Sequence, residues 1–207
     1  TSLCLIILIN GSNFIDGVHG LVLLYGLVVL LFLNYFLIFV LDAEYSIQNG
    51  LGLIPVLLIL LILNFKEKVF FGDTGSYLLG ASIGLYIIKT CNINEYSYPY
   101  LYANFLIYPA FEVFFSIFRK LCSGKGPYQP DQKHLHHLVQ KFYQNNFNYN
   151  ITYSKILSAI SIIFWIVLFN LLSINFYQEK VLLIINIFIF MIFYSLVYLL
   201  LIKKIRK

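Results

Sequence analysis

Charge is what this sequence has least of. Of its 207 residues only 11% are charged, against about 25% in soluble domains. So sparse a supply cannot clothe a globule in water, and a water-exposed domain is excluded. Cysteine is scarce as well. Cys4, Cys91 and Cys122 show neither metal-ligand nor redox spacing and read as packing or incidental residues. There is no internal repeat, no low-complexity tract and no charged leader of a signal peptide. The chain opens at Thr1, already inside an apolar run, so further residues are expected upstream of it.

What the chain has instead is apolar surface. Hydrophobic residues make up 60% and aromatics 18%, with a mean hydropathy of +0.84. The run "LVLLYGLVVLLFLNYFLIFVL" at 21–41 is long enough to cross roughly 30 Å of hydrocarbon as a helix, which takes about 20 residues. The runs are continuous rather than alternating, which argues against a membrane β-barrel. The expected fold is all-α: one polytopic transmembrane helical bundle over 1–207 with about seven crossings. The first is partial, at 1–10. The others are expected at 18–41, 51–65, 76–90, 100–118, 151–173 and 180–202, the third and fourth of the seven being short.

Lys and Arg set the orientation. Alternate connections collect Lys66, Lys68, Arg119, Lys120, Lys125, Lys133, Lys141, Lys155, Lys203, Lys204, Arg206 and Lys207, which is 12 of the 14 basic residues. The opposite connections hold Lys89 and Lys180 with Asp42, Glu44, Glu95 and Glu179. The basic side, with the C-terminus, is therefore expected in the cytoplasm. Three unusual polar stretches fall on that same side: "NGSNFIDG" at 10–17, "KEKVFFGDTGS" at 66–76 and the long loop 119–150. A site assembled from several loops at one membrane face is the economical explanation.

Each stretch carries its own chemistry. Asn10, Asn13 and Asp16 recur every three residues, near one helix face, and can grip a polar ligand. Gly17 and Gly20 allow close approach, although helix capping and packing explain the same pattern. An ionisable group at the bilayer edge is a functional candidate by default. In "FFGDTGSYLLG" at 70–80, Asp73 can cap the following helix or ligate a hard cation, which takes one or two carboxylates and leaves its other positions to water and phosphates. Phe70 and Phe71 suit either the interface or a stacked nucleobase. His134, His136 and His137 lie in "DQKHLHHL" at 131–138. Their spacing fits zinc poorly; with Lys125 and Lys133 they better suit a diphosphate, and a solvated loop near acidic headgroups is the bland alternative. Together this is an inventory for phosphoryl transfer between a soluble nucleotide donor and a lipid acceptor, a reaction that needs mainly positioning and charge neutralisation.

The stretches Asn10–Leu21, Phe70–Ser76 and Gly124–Leu138 resemble, in order and in membrane side, those of the polyprenyl-phosphate N-acetylhexosamine-1-phosphate transferases, glycosyltransferase family 4. That resemblance covers essentially the whole chain, as the C-terminal part of a member. It implies a Mg²⁺-dependent enzyme (Mn²⁺ being the alternative) of the bacterial or archaeal cytoplasmic membrane. The reaction would pass an N-acetylhexosamine-1-phosphate from a UDP-amino sugar to undecaprenyl phosphate, releasing UMP and initiating a cell-envelope polysaccharide. Asp73 matches the metal-binding aspartate. Asp16, Asn13, Asn10 and Gly17 match the nucleotide-sugar pocket, Phe70 a position that stacks on uracil, and His134, His136 and His137 a histidine motif near the diphosphate. Lys125 stands where an Arg is frequent, keeping the charge without the bidentate fork. His19 stands where some members carry Asp. The family's acidic Asp-Asp pair occurs nowhere in this sequence, so residues 1–207 alone are expected to be inactive, and a non-catalytic remnant or partner subunit is the alternative. A transporter fits less well, because transporters place polar groups near the midplane and show repeats. No nucleic-acid partner is expected. A homodimer, the identity of the amino sugar and the polymer all stay open.

Overall fold

A computed structural model describes residues 2–41, 50–93, 97–124 and 133–205. Lys125 lies outside them. The described residues form helices and connecting turns, with no strand among them: α1 (Ser2–Ile15), α2 (Leu21–Tyr35, continued by a π-helical segment Phe36–Val40), α3 (Leu53–Phe65), α4 (Gly72–Ile93), α5 (Pro99–Cys122), α6 (Leu135–Phe147), α7 (Ile151–Asn175) and α8 (Lys180–Ile205). All seven expected apolar segments are helical. Among the described residues four stretches are long and apolar enough to cross a membrane: Leu21–Val40, Pro99–Cys122, Ile151–Asn175 and Lys180–Ile205. Leu53–Phe65 is apolar but has 13 residues, which gives about 20 Å of helix. The chain is a multi-pass membrane protein of the all-α class.

Three boundaries differ from expectation, each for a local reason. The first segment runs on to Ile15 rather than ending at residue 10. Asn10 donates its amide to the Ile6 carbonyl of its own helix and Asn13 finds partners on α4, so neither breaks the helix. The fourth segment starts at Gly72 rather than 76. Gly72 takes a left-handed φ of 68°, and Asp73 then complements the dipole from inside the first turn. The stretch 119–150 is not all loop: α5 extends to Cys122, and 135–147 forms α6, closed by Asn148 in the left-handed conformation.

Small residues decide how the helices meet. Helix α1 is held between α4 and α5. A Cβ on Gly11 would lie 2.6 Å from the Pro109 carbonyl oxygen of α5. On α4, Cβ atoms at Gly80 and Gly84 would strike Ser12 at 2.7 Å and Leu5 at 2.5 Å. Glycines four apart on one face are a membrane packing device, because apolar lipid offers no hydrophobic drive and backbones must come close. Helix α7 packs against α2, α5, α6 and α8. There Asn186 of α8, largely buried, donates to Asn104 Oδ1 of α5 at 3.0 Å and lies 2.9 Å from Ser173 Oγ of α7. Asn104 in turn donates to the Leu183 carbonyl at 3.1 Å. This amide knot ties three helices by hydrogen bonds inside an apolar bundle.

Replacing the knot tests its weight. Asn186→Leu is expected to lower stability in detergent by about 1–2 kcal/mol, read as an earlier thermal aggregation midpoint, with nucleotide binding unchanged because the knot is remote from the cleft described next.

Candidate functional site

The turn 16–20 joins α1 to α2, and Gly20 closes it with φ 77°. This turn is where the three polar stretches converge. Asp16, Gly17, Val18 and His19 line one wall of a cleft of about 230 Å³. Asn64 of α3, with Phe70, Phe71, Gly72 and Asp73 before and within the first turn of α4, lines the second wall. Lys155, from the first turns of α7, completes it.

Two carboxylates dominate the cleft electrically. Burial pushes the Asp16 carboxyl up to about 7; the charge of Asp73 adds to the rise, and a hydrogen bond from the Gly72 N–H opposes it. Asp73 itself is exposed. Two carboxylates that repel each other across a cleft suit a hard divalent cation, whose remaining positions go to water and phosphate oxygens. A closed zinc-type site has no such basis: among the described residues no three His, Cys, Asp or Glu side chains are grouped to hold a metal. Phe70 projects with 75% of its surface exposed, so its ring is open to a planar ligand.

The histidines approach the same turn from the other side. A Cβ on Gly17 would lie 2.2 Å from His136 Nε2 and 2.9 Å from His137 Cε1, so this position must be glycine for the imidazoles to reach the Asp16 turn. The Phe14 and His134 rings lie 5.3 Å apart. His136 is fully buried, and neither of its ring nitrogens has a partner among the described residues. Burial, with the neighbouring His137 and His134, pushes its pKa well down, and burial likewise lowers His137. These two imidazoles are therefore neutral near pH 7, able to donate or accept a proton in a hydrogen bond.

Not all sequence candidates enter the cleft. Asn13 donates to Tyr77 Oη at 2.7 Å and accepts from Ser76 Oγ at 3.4 Å. It braces α1 against α4. Asn10 is exposed and spends its amide on Ile6. The sequence reading also missed Glu112. This carboxylate of α5 is 1% exposed. Its Oε1 lies 2.9 Å from His134 Nδ1 and accepts from the Leu135 N–H at 3.2 Å. Its Oε2 accepts from Tyr194 Oη at 2.6 Å. An acidic residue within an apolar span was the available signal, by the same argument that singled out Asp16.

Asp16 gives a test by pH. With its pKa raised from 3.8 to about 7, the cation-free fold favours the protonated acid, and the stability this confers is lost as pH rises through that window. An infrared titration of the carboxyl stretch is expected to place Asp16 near pH 7. Asp73→Asn is expected to shift it to lower pH, leaving the part due to burial; an unmoved midpoint would rule out coupling between the two carboxylates.

The chain is similar in sequence to known proteins. Residues 1–91 match the family model for glycosyl transferase family 4. An undecaprenyl-phosphate alpha-N-acetylglucosaminyl 1-phosphate transferase from Salmonella typhi is 31% identical over 140 residues, covering 64% of this chain and 38% of that protein. The protein of the same name from Escherichia coli strain K12 is 29% identical over the same shares. The one from Thermotoga maritima is 39% identical over 75 residues, 36% of this chain and 24% of that protein. The chain thus spans well under half the length of the curated relatives it matches. No solved structure matches it. Residues 1–91, which supply the Asp16 turn and the Asp73 helix start, are similar to glycosyl transferase family 4.

Proposed function

We propose that this chain is part of a membrane phosphoglycosyl transferase that moves an N-acetylhexosamine-1-phosphate from a UDP-sugar to undecaprenyl phosphate at the cytoplasmic face, releasing UMP. The observation that carries the reading is the cleft in which Asp16 and Asp73 meet the exposed ring of Phe70, with His136 and His137 packed behind it against Gly17. The names of the relatives supply the acceptor class and the sugar phosphate.

In this proposal Asp16 and Asp73 hold Mg²⁺. The ion supplies charge neutralisation on the diphosphate, which is most of what phosphoryl transfer asks of a protein. Phe70 offers a face to uracil, since aromatic rings stack on bases. His137, neutral and only partly buried, donates a hydrogen bond to a phosphate oxygen, and the buried His136 backs the Asp16 turn. An oxygen of the acceptor phosphate attacks the sugar-bearing phosphorus; the bond from that phosphorus to the bridging oxygen breaks, and UMP leaves with the electron pair. Asn13 acts indirectly, fixing α1 against α4 through Tyr77 and Ser76 so that Asp16 and Asp73 keep their separation. The basic ends of α5 (Arg119, Lys120) and α8 (Lys203, Lys204) support a cytoplasmic orientation by the excess of positive charge on that side.

The test is transfer of radiolabelled sugar phosphate from UDP-N-acetylglucosamine to undecaprenyl phosphate by membranes carrying the full-length protein. Asp73→Asn is expected to cut transfer by roughly a hundredfold or more while leaving membrane insertion intact. Normal transfer by that variant would remove Asp73 from the metal site. Absence of transfer from every UDP-amino sugar by the wild type would favour a non-catalytic subunit.

A further inference from the structure

In the sequence Lys155 counts only toward membrane orientation; in the fold it lines the cleft. Its position is set from outside the cleft. The turn after α3 is closed by bonds from the Glu67 N–H to Asn64 O at 3.0 Å and from Asn64 Nδ2 to Val69 O at 2.9 Å. Glu67 itself sits at φ 56°, a left-handed conformation uncommon for a residue with a long side chain. Its carboxylate accepts from Thr152 Oγ1 at 2.7 Å and lies 3.4 Å from His19 Nε2. Thr152 and Lys155 are three apart on α7 and share a face. The clamp on Thr152 therefore fixes the rotation of α7 that aims Lys155 at the cleft.

The ammonium group is poorly satisfied there. Among the described residues it contacts His19 Nε2 at 3.5 Å. That nitrogen also faces Glu67, and it can accept from Lys155 or donate to Glu67 but not both. At least two of the three ammonium N–H bonds are thus left for another acceptor. Among the described residues no carboxylate forms an ion pair with Lys155, although Asp16 and Asp73 line the same cleft. The cleft keeps its negative and positive groups apart. A cation held by the carboxylates and an anion held by the ammonium would satisfy both ends, and a phosphate bound to a divalent cation is a ligand with both charges.

We propose that Lys155 is a phosphate-binding residue of this cleft, seated by the Glu67–Thr152 clamp, and that it contacts a phosphate oxygen of the reacting substrates. The inference rests on the proposed transferase function. Carboxylates repel phosphate unless a cation intervenes, whereas the ammonium binds it directly. Two phosphates could be the partner: that of the nucleotide donor or that of the lipid acceptor. Phe70, on the same cleft, favours the nucleotide.

Binding of UDP and of uridine to the purified full-length protein with Mg²⁺, by titration calorimetry, tests this. Lys155→Met is expected to weaken UDP on the order of tenfold or more, the scale of a lost charge-assisted hydrogen bond, and to leave uridine unchanged. Lys155→Arg is expected to restore most of the loss. If UDP is unaffected by Lys155→Met but the KM for polyprenyl phosphate rises on that order, Lys155 binds the acceptor phosphate, and phosphate binding stands. If neither changes, or if uridine weakens as much as UDP in protein that remains monodisperse, the proposal is overturned. A wild-type protein that binds no UDP at all would overturn the transferase reading as well, which separates the two failures.

Discussion

A single buried carboxylate organises the far side of this site. Glu112 lies inside α5, 1% exposed, where an uncompensated charge would be costly. Three donors compensate it: Tyr194 from α8, the Leu135 N–H that opens α6, and His134 just ahead of that helix. These bonds fix the start of α6 against two membrane helices. They also fix the imidazole of His134, because a ring that donates from Nδ1 to a carboxylate presents Nε2 to its other side. Removing the acceptor strands buried donors at about 1–3 kcal/mol each, so the histidine segment has little freedom to seat elsewhere.

The near side depends on space rather than charge. Gly17 leaves room for His136 and His137 against the Asp16 turn, and Gly20 supplies the positive φ that ends it. Glycines at 11, 80 and 84 set α1 deep between α4 and α5, which brings the end of α1 beside the start of α4. That juxtaposition is why Asp16 and Asp73, more than fifty residues apart in the chain, feel each other's charge. Tight packing of small residues within the membrane and electrostatic coupling at its surface are thus one arrangement.

The class of fold was legible because apolar runs long enough to span a bilayer have few alternative explanations. Convergence of the three polar stretches was legible from the alternation of Lys and Arg, since groups on one face can meet. The roles of individual amides were not. A three-residue spacing places Asn10, Asn13 and Asp16 near one face, yet a helix face also meets its own carbonyls and its neighbours. Asn10 satisfied the first and Asn13 the second. The charge state of the histidines was hidden for a similar reason: sequence shows that imidazoles are present, and only burial decides whether they carry a proton. Glu112 escaped because its partners come from three separate elements, which no local spacing reveals. Helix α6 escaped because half of its surface is polar and only Leu135, His136 and Leu138 are buried.

The central claim is that Glu112 holds the histidine segment in place against the Asp16 turn. Hydrogen exchange of the segment 133–147 in the full-length protein, wild type against Glu112→Ala, tests it most directly. The account predicts that amides of the first turns of α6 lose protection in the variant while those of α2 and α7 keep theirs, and that sugar-phosphate transfer falls in parallel. Unchanged protection of α6 with transfer intact would contradict it.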